Sequence, residues 1–179
     1  MTWWRKSQPV AATVHPRPKP TGSRFGRGAA ITALAISLIG GFEGLRTKAY
    51  LDPVKIPTIC FGSTRGVKMG DEKTVEECKA LLEVEIIEHE LGIRKCLNNP
   101  DAIPEGAYVA FNSLAFNIGV GAFCNSTVLR RTNAGDYTGA CEAILMWNKA
   151  TFGGVKITLP GLTKRRQTER ALCLGSLPP

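Results

Sequence analysis

Apolar and polar positions along most of the chain recur with the period of an α-helix. The longest pattern runs from Val75 to about Leu97, and the capping-box residues Thr74 and Glu77 mark its start. Residues 50–67 differ, because they hold two prolines, two glycines and short β-prone pieces such as PTICFG, which predict a hairpin-like unit. The pattern as a whole predicts an α+β protein that is mainly helical. Further helices are predicted over residues 104–117, 126–132, 136–147 and 163–174.

Residues 29–41, AAITALAISLIGG, carry no charge and are predicted to be a signal or signal-anchor segment. A helix over residues 28–42 would be about 22 Å long. The hydrocarbon core of a bilayer is about 30 Å thick. Three interpretations therefore stay open: a signal peptide cleaved near residues 33–35 or 35–37, a weak anchor that later leaves the bilayer, or a buried helix of a soluble domain.

Charge is distributed unevenly along the 179 residues, whose formal net charge is +8. Residues 1–28 contain six basic residues and no acid, and they are rich in proline and glycine, so we predict a disordered basic tail. The remaining chain is close to neutral. No nucleic-acid partner is expected, since no recognition module follows the tail. A basic flank before an apolar run stays on the cytoplasmic side, which predicts export of the rest.

Six cysteines are spread over the part of the chain that follows the apolar run. An even number of this kind fits three disulfides in an oxidising compartment, although the pairing stays open and reduced core cysteines are an alternative. The chain has no CxxC pair, and its two histidines, His15 and His89, lie outside any cysteine cluster. Neither a metal nor a cofactor is expected. The cysteines are Cys60, Cys78, Cys96, Cys124, Cys141 and Cys173.

Two carboxylates close to the apolar run are candidates for acid–base chemistry. Glycoside cleavage needs one carboxyl that delivers a proton and a second that stays ionised and positions a water. Glu43 ends the apolar run, where partial desolvation favours a protonated acid. Asp52 lies in a turn beside Pro53, and the Thr58 hydroxyl could hold the water together with Asp52. Spacing alone does not decide, because a helix end and a turn cap would look the same.

The order Glu43, eight residues, Asp52, five residues, Thr58 resembles the catalytic signature of phage-type lysozymes, glycoside hydrolase family 24. Similar words surround it: FEGLRTKAYLDP, PTICFG, EECKALL, AFNIGVGAF, STVLRRTNAGDY, ACEAILMWNKA and LPGLTKRRQTERALCL. The resemblance covers about residues 36–175. It implies hydrolysis of the β-1,4 bond between N-acetylmuramic acid and N-acetylglucosamine in peptidoglycan. Glu43 would then be the general acid, Asp52 would position the water, and Thr58 would be the third member.

The resemblance also implies a lysozyme-like two-lobed fold over residues 42–179, in which a long helix joins a small β-sheet lobe to a larger helical lobe. Asn117 resembles a cleft-lining residue whose amide would bind an N-acetyl group; a plain helix end is the alternative. Many members have a histidine where this chain has Ser63. A disulfide from Cys60 to Cys78 would supply the local stabilisation instead.

The weak apolar run resembles the signal-anchor-release subgroup of these enzymes. The implied protein is a secreted, monomeric endolysin that lyses bacteria from the periplasm of a Gram-negative host, with peptidoglycan as substrate and an inner-membrane tether before release. A lytic transglycosylase and a non-enzymatic lysis protein that binds peptidoglycan or membrane are the alternatives. Two charged sets are predicted to be solvated helix faces: Glu83, Glu85, Glu88 and Glu90 in one helix, and Lys164, Arg165, Arg166 and Arg170 in another.

Overall fold

The structure is a computed structural model that describes residues 22–26 and 28–177. Helices dominate these residues, and two separate two-stranded antiparallel sheets complete them. This confirms the predicted mainly helical α+β class. In chain order the elements are α1 (Ala29–Glu43), β1 (Arg46–Leu51), β2 (Pro57–Cys60), α2 (Val75–Arg94), a 3-10 turn (Pro100–Ala102), α3 (Glu105–Ile118), α4 (Val120–Cys124), α5 (Thr127–Asn133), α6 (Tyr137–Ala143), a 3-10 turn (Ile144–Trp147), β3 (Lys149–Phe152), β4 (Val155–Thr158) and α7 (Pro160–Gly175).

The long helix α2 begins as the sequence predicts. The Glu77 N–H donates to the Thr74 hydroxyl oxygen over 3.1 Å, and the Thr74 N–H donates to the Glu77 carboxylate over 2.7 Å. These reciprocal bonds satisfy two N–H groups that a helix start leaves without partners. The helix ends at Arg94, slightly before the predicted end at Leu97. Its buried apolar stripe is formed by Cys78, Leu82, Ile86, Ile87 and Ile93.

The prediction that the acids of α2 form a solvated face is wrong for Glu90, which is fully buried. The other three acids are half-buried rather than fully exposed: Glu83, Glu85 and Glu88. A buried carboxylate needs hydrogen-bond donors, and Glu90 has three: the Tyr108 hydroxyl at 2.6 Å, the Arg24 N–H at 2.7 Å and the Ser23 hydroxyl. Two of these donors, Ser23 and Arg24, belong to the segment before α1. The sequence pattern did not predict that this segment contacts α2.

The charge-free run forms helix α1, which packs against α2 and α3. Ile31, Ala35 and Ile39 are buried in the core. Within residues 22–26 and 28–177, no helix is long and apolar enough to cross a bilayer. Of the predicted disordered tail, residues 1–21 and 27 lie outside the described residues, whereas residues 22–26 pack on the helical part of the domain.

Helix α3 is the centre of the domain, since residues 106–115 are all buried, and it contacts α1, α2 and α7. All six cysteines pair, which confirms the predicted three disulfides. The suggested Cys60–Cys78 pair is among them and ties β2 to α2. The other two are Cys96–Cys124 and Cys141–Cys173, and the latter joins α6 to α7.

The first hairpin is the predicted one, with Tyr50 opposite Thr58 across β1 and β2. The second hairpin was not predicted. Phe152 pairs with Val155 around Gly153 and Gly154, whose φ angles are 55° and 82°. A Gly-Gly turn with positive φ at both positions matches the twist of a two-residue hairpin. That dipeptide was the signal that the helix-centred interpretation overlooked.

Candidate active site

Glu43 is the last residue of α1, so the apolar helix positions it directly. Its Oε1 accepts a hydrogen bond from Nη1 of Arg165 over 2.6 Å. Its Oε2 lies 4.0 Å from the point where a Cβ at Gly62 would stand. The side chain is 24% exposed, so a substrate can reach it. One carboxylate oxygen is therefore held by an arginine, and the other faces the turn after β2.

Arg165 comes from α7 and was predicted to be solvated; that prediction is wrong. Its side chain is only 7% exposed, and its guanidinium lies 4.7 Å from the ring centroid of Phe42, beside Glu43. Nη2 donates to the Ser113 carbonyl over 3.3 Å. A planar guanidinium can hold an acid, stack on a ring and bind a carbonyl at once. The residue that fixes the candidate acid is thus 122 positions away in the chain.

Arg166 was also predicted to be solvated, and it is fully buried. Its Nη1 donates to Oδ1 of Asn117 over 3.1 Å. Its Nη2 lies 2.9 Å from Oε1 of Glu169, another buried residue of α7. Burial lowers the pKa of Arg166, and the nearby Glu169 opposes that change. Burial likewise raises the pKa of Glu169, against the two arginines and Ser113.

Asp52 begins the turn that joins β1 to β2. Its Oδ1 accepts the N–H groups of Val54 at 2.9 Å and Ile56 at 2.8 Å, and its own N–H donates to the Ile56 carbonyl over 3.1 Å. Lys55, inside the turn, has a φ of 64°. Such aspartate-centred turns fix the carboxylate relative to the backbone. Because both donors bind Oδ1, the second oxygen takes no part in the turn.

Thr58 stands on β2, two residues beyond that turn, and is 3% exposed. Its hydroxyl donates to the Ile56 carbonyl over 3.0 Å. A hydroxyl that donates in this way keeps its lone pairs for a hydrogen bond from another group. Asp52 and Thr58 are therefore both anchored on the backbone of Ile56, which brings two of the predicted site residues together.

The turn after β2 links this hairpin to Glu43. Ile59 and Ser63 exchange two backbone hydrogen bonds of 2.9 Å, and between them Cys60 and Gly62 have φ angles of 59° and 95°. The Cys60–Cys78 disulfide pins the turn to α2. Glycine suits position 62 because its backbone is left-handed, a conformation that other residues adopt only with strain.

Asn117, the fourth predicted site residue, is exposed near the C-terminal end of α3. It joins the others through Arg166 and Glu169 rather than by direct contact with the candidate acid. The sequence analysis missed the two arginines and Glu169. The available signal was the RRxxE spacing, because residues three and four apart share one face of a helix.

Comparison with known proteins agrees with this arrangement. The family described as phage lysozyme matches residues 40–169, which span the two candidate carboxylates and the arginines of α7. The chain belongs to the phage lysozyme family. It is thus a glycoside hydrolase of the muramidase type that acts on peptidoglycan and causes lysis, as the sequence predicts.

Two relatives show how far this phage lysozyme resembles known endolysins. An endolysin of Acyrthosiphon pisum secondary endosymbiont phage 1 is 40% identical over 144 residues, which are 79% of this chain and 96% of the relative. A protein named SAR-endolysin, from Pseudomonas phage phiKMV, is 38% identical over 149 residues, which are 83% of this chain and 90% of the relative.

A solved structure supports the same conclusion for the fold. The muramidase domain of SpmX from Asticaccaulis excentricus is 33% identical and superimposes with a TM-score of 0.75. The match covers 80% of this phage lysozyme and 97% of that domain. The predicted lysozyme-like fold is therefore confirmed.

Proposed function

We propose that Glu43 is the general acid of a muramidase, that Asp52 positions and activates the attacking water, and that Thr58 holds that water with Asp52. The observation that carries the proposal is the contrast between the two carboxylates. Glu43 is held at a helix end by Arg165. Asp52 is held by backbone N–H groups in a hairpin turn. Different surroundings for two carboxyls are what separates their acid and base roles.

In the proposed reaction, Glu43 gives a proton to the glycosidic oxygen as the bond from that oxygen to the sugar carbon breaks. Water attacks the same carbon, and Asp52 accepts its proton. Oε2 of Glu43 is the oxygen suited to carry the proton, because Oε1 already accepts from Arg165. The Thr58 hydroxyl, which donates to the Ile56 carbonyl, would accept a hydrogen bond from the water.

Asn117 is proposed to bind an N-acetyl group of the glycan. Its Oδ1 accepts from Arg166, so its amide nitrogen is oriented to act as the donor. An exposed amide donor can bind the carbonyl of an acetamido group. Asn117→Asp keeps the oxygen for Arg166 but removes that donor, so it should raise KM for peptidoglycan more than it changes kcat.

The catalytic roles are tested with Glu43→Gln and Asp52→Asn on purified peptidoglycan. Each should lower kcat by about 10²- to 10⁴-fold, which is the usual contribution of a positioned acid or base. Glu72→Gln is the matched control, because Glu72 is an exposed acid paired with Lys48 in the same lobe. Mass spectrometry should find reducing ends. Anhydro ends with an active Asp52→Asn variant would indicate a transglycosylase, and undiminished lysis by Glu43→Gln would indicate a non-enzymatic lysis protein.

We also propose that the enzyme is exported to the periplasm of a Gram-negative host and is first tethered to the inner membrane by residues 29–41. Relatives named SAR-endolysin and the basic flank before the apolar run support this. Glu43 ends helix α1, so a tethered α1 would keep Glu43 away from Arg165. The division into tail, anchor and catalytic domain, the absence of a nucleic-acid partner and the monomeric state remain predictions.

The contacts of residues 22–26, just before α1, support release of the entire apolar run from the membrane. Phe25 is buried, with its ring edge-on to Tyr108 at 5.6 Å between centroids. Arg24 stacks over the same ring at 4.3 Å and donates to the Ile103 carbonyl over 2.8 Å. The buried Glu90 gains two of its donors from this segment. The folded domain includes residues 22–26. Release would therefore have to bring this segment, as well as the apolar run, to the side of the membrane on which the catalytic domain folds.

A stronger anchor tests the tether. Ser37 and Gly41 are exposed on α1, and a Cβ at Gly41 would meet no neighbour within 4 Å. Ser37→Leu with Gly41→Leu should therefore leave the folded enzyme intact and make the segment more apolar. We expect more enzyme in the membrane fraction and delayed lysis, with unchanged activity after purification. Ser37→Asp is the opposite control and should speed release. Equal fractions and equal lysis times in all three proteins would refute the tether.

A further inference from the structure

We propose that Glu169 is a positioning residue for peptidoglycan hydrolysis, because it fixes one arginine on the catalytic acid and a second arginine on the amide that binds the sugar. The inference rests on the roles proposed above for Glu43 and Asn117. Glu169 itself has no exposed side-chain surface, so it cannot touch the substrate and must act through its neighbours.

The contacts of Glu169 divide between the two arginines. Its Oε1 accepts from Nε of Arg165 over 3.2 Å and from Nη2 of Arg166 over 2.9 Å. Its Oε2 lies 2.8 Å from Nε of Arg166. The Ser113 hydroxyl of α3 donates to the same Oε1 over 2.6 Å. One carboxylate thus orients both guanidinium groups and is itself fixed to the central helix.

Each arginine also contacts a residue of the proposed site through its Nη1 atom. Nη1 of Arg165 contacts Glu43 at 2.6 Å, and Nη1 of Arg166 contacts Asn117 at 3.1 Å. Two chains of contacts therefore run from Glu169, one to the acid and one to the amide. The acid and the sugar-binding residue are on different helices, α1 and α3, and Glu169 is the group that sets both from α7.

Charge explains why a carboxylate is needed at this position. Arg165 and Arg166 are adjacent in sequence and both buried. Burial is the main cause that lowers the pKa of Arg166, and repulsion from Arg165 adds to it. The buried Glu169 and the partly exposed Glu43 together balance the two positive charges. Without the Glu169 charge, two guanidinium groups would share one carboxylate, Glu43. The arginines would then repel each other without the carboxylate that holds both, and Arg165 would fix Glu43 less firmly.

Glu169→Gln removes the charge and keeps the shape, so it is the main test. We expect kcat to fall about 10- to 100-fold, the scale of a small misplacement of a catalytic group, and KM to rise through Asn117. The charged groups that face Glu43 and Glu169 are Arg165 and Arg166 from α7, with Ser113 of α3 as the neutral partner.

Glu142→Gln is the matched control, on the neighbouring helix α6. Glu142 is an exposed acid that pairs with Arg170 of α7 through contacts of 2.7 Å and 2.6 Å. This ion pair is exposed to solvent, whereas Glu169 and its two arginines are buried. Glu142→Gln should leave kcat and KM unchanged. Glu169→Asp, which keeps the charge on a shorter side chain, should recover part of the kcat lost in Glu169→Gln.

A double-mutant cycle separates positioning from a merely structural role. If Glu169 acts through Arg165, the kcat effect of Glu169→Gln should shrink at least several-fold in an Arg165→Met background. An equal kcat effect in both backgrounds overturns the inference, as does a thermally destabilised Glu169→Gln enzyme with the kcat and KM of the wild type. If Glu169→Gln does not fold, Glu169→Asp takes its place, and a wild-type KM and kcat there overturn the inference.

Failure of the inference can be told from failure of the proposed function. An active Glu43→Gln enzyme removes the catalytic role of Glu43, whatever Glu169 does. An inactive Glu43→Gln enzyme together with a Glu169→Gln enzyme that matches the wild type removes only the positioning role.

Discussion

The guanidinium of Arg165 lies 2.6 Å from the carboxylate of Glu43 and joins the end of α1 to the final helix α7. The arginine is 7% exposed and the glutamate 24% exposed, so the pair is shielded on one side and open to substrate on the other. A partly buried ion pair of this kind is screened less than a surface pair. The position of the candidate acid therefore depends on the packing of α1 against the helices of the domain.

Arg165→Lys should lower activity without unfolding the enzyme. A lysine keeps the charge but cannot also stack on Phe42 and bind the Ser113 carbonyl and Glu169 as the planar guanidinium does. We expect kcat/KM on peptidoglycan to fall about 10- to 100-fold. Arg130→Lys is the control, because Arg130 is exposed on α5. Activity above half of the wild-type value in Arg165→Lys would contradict the importance of the fixed geometry.

Asp52→Asn should separate chemistry from structure. The amide oxygen of asparagine can still accept the N–H groups of Val54 and Ile56, so the hairpin turn should persist. The negative charge that activates the water is lost, and kcat should fall about 10²- to 10⁴-fold. The unfolding temperature should change little, since asparagine is common in such turns. A large drop in the unfolding temperature would show that the negative charge of Asp52 stabilises the turn.

The predictable part of the site is its local part. Glu43, Asp52 and Thr58 are close in sequence, and their spacing and surrounding words point to them before any tertiary contact is known. Arg165 lies 122 residues from Glu43, so its contact depends on how α7 packs. From sequence alone, a helix face rich in arginine is predicted to be exposed to solvent. The sequence does not show that the Glu43 carboxylate, from another helix, pairs with Arg165.

The same reason explains the errors in α2. The helix and its cap are local and were predicted, whereas the burial of Glu90 depends on Tyr108 and on residues 23 and 24, far away in the chain. For residues 29–41, length and composition left three interpretations open. The folded domain contains the segment as a helix packed against α2 and α3, a contact that length and composition do not encode.

Removing the disulfide next to the site should cost stability. Cys60 and Cys78 are 18 residues apart, and closing a loop of that size stabilises a fold by about 3 kcal/mol in the chain-entropy model. The variant with both cysteines changed to serine should therefore unfold at lower urea concentration. Dithiothreitol should shift the wild type further, since it also breaks the other two bridges. An unchanged urea midpoint in the double variant would show that the turn is held by its packing.

Glu85 should make stability depend on pH. It is half-buried on α2, and burial raises its pKa above the ordinary 4.5, although Ser63, His89 and Arg65 oppose the change and Glu88 adds to it. Well below pH 4.5, Glu85 is protonated in both the folded and the unfolded chain. As the pH rises, the unfolded chain ionises first, so the folded state loses stability until the raised pKa is passed.

Glu85→Gln removes this titration and keeps the shape of the side chain. Its unfolding temperature should match the wild type at about pH 3.5 and exceed it at about pH 7, where the wild type holds a partly buried charge. Glu72→Gln, at an exposed acid paired with Lys48, should show no such gain between the two pH values. An equal difference between Glu85→Gln and the wild type at both pH values would mean that Glu85 ionises alike in the folded and unfolded chain.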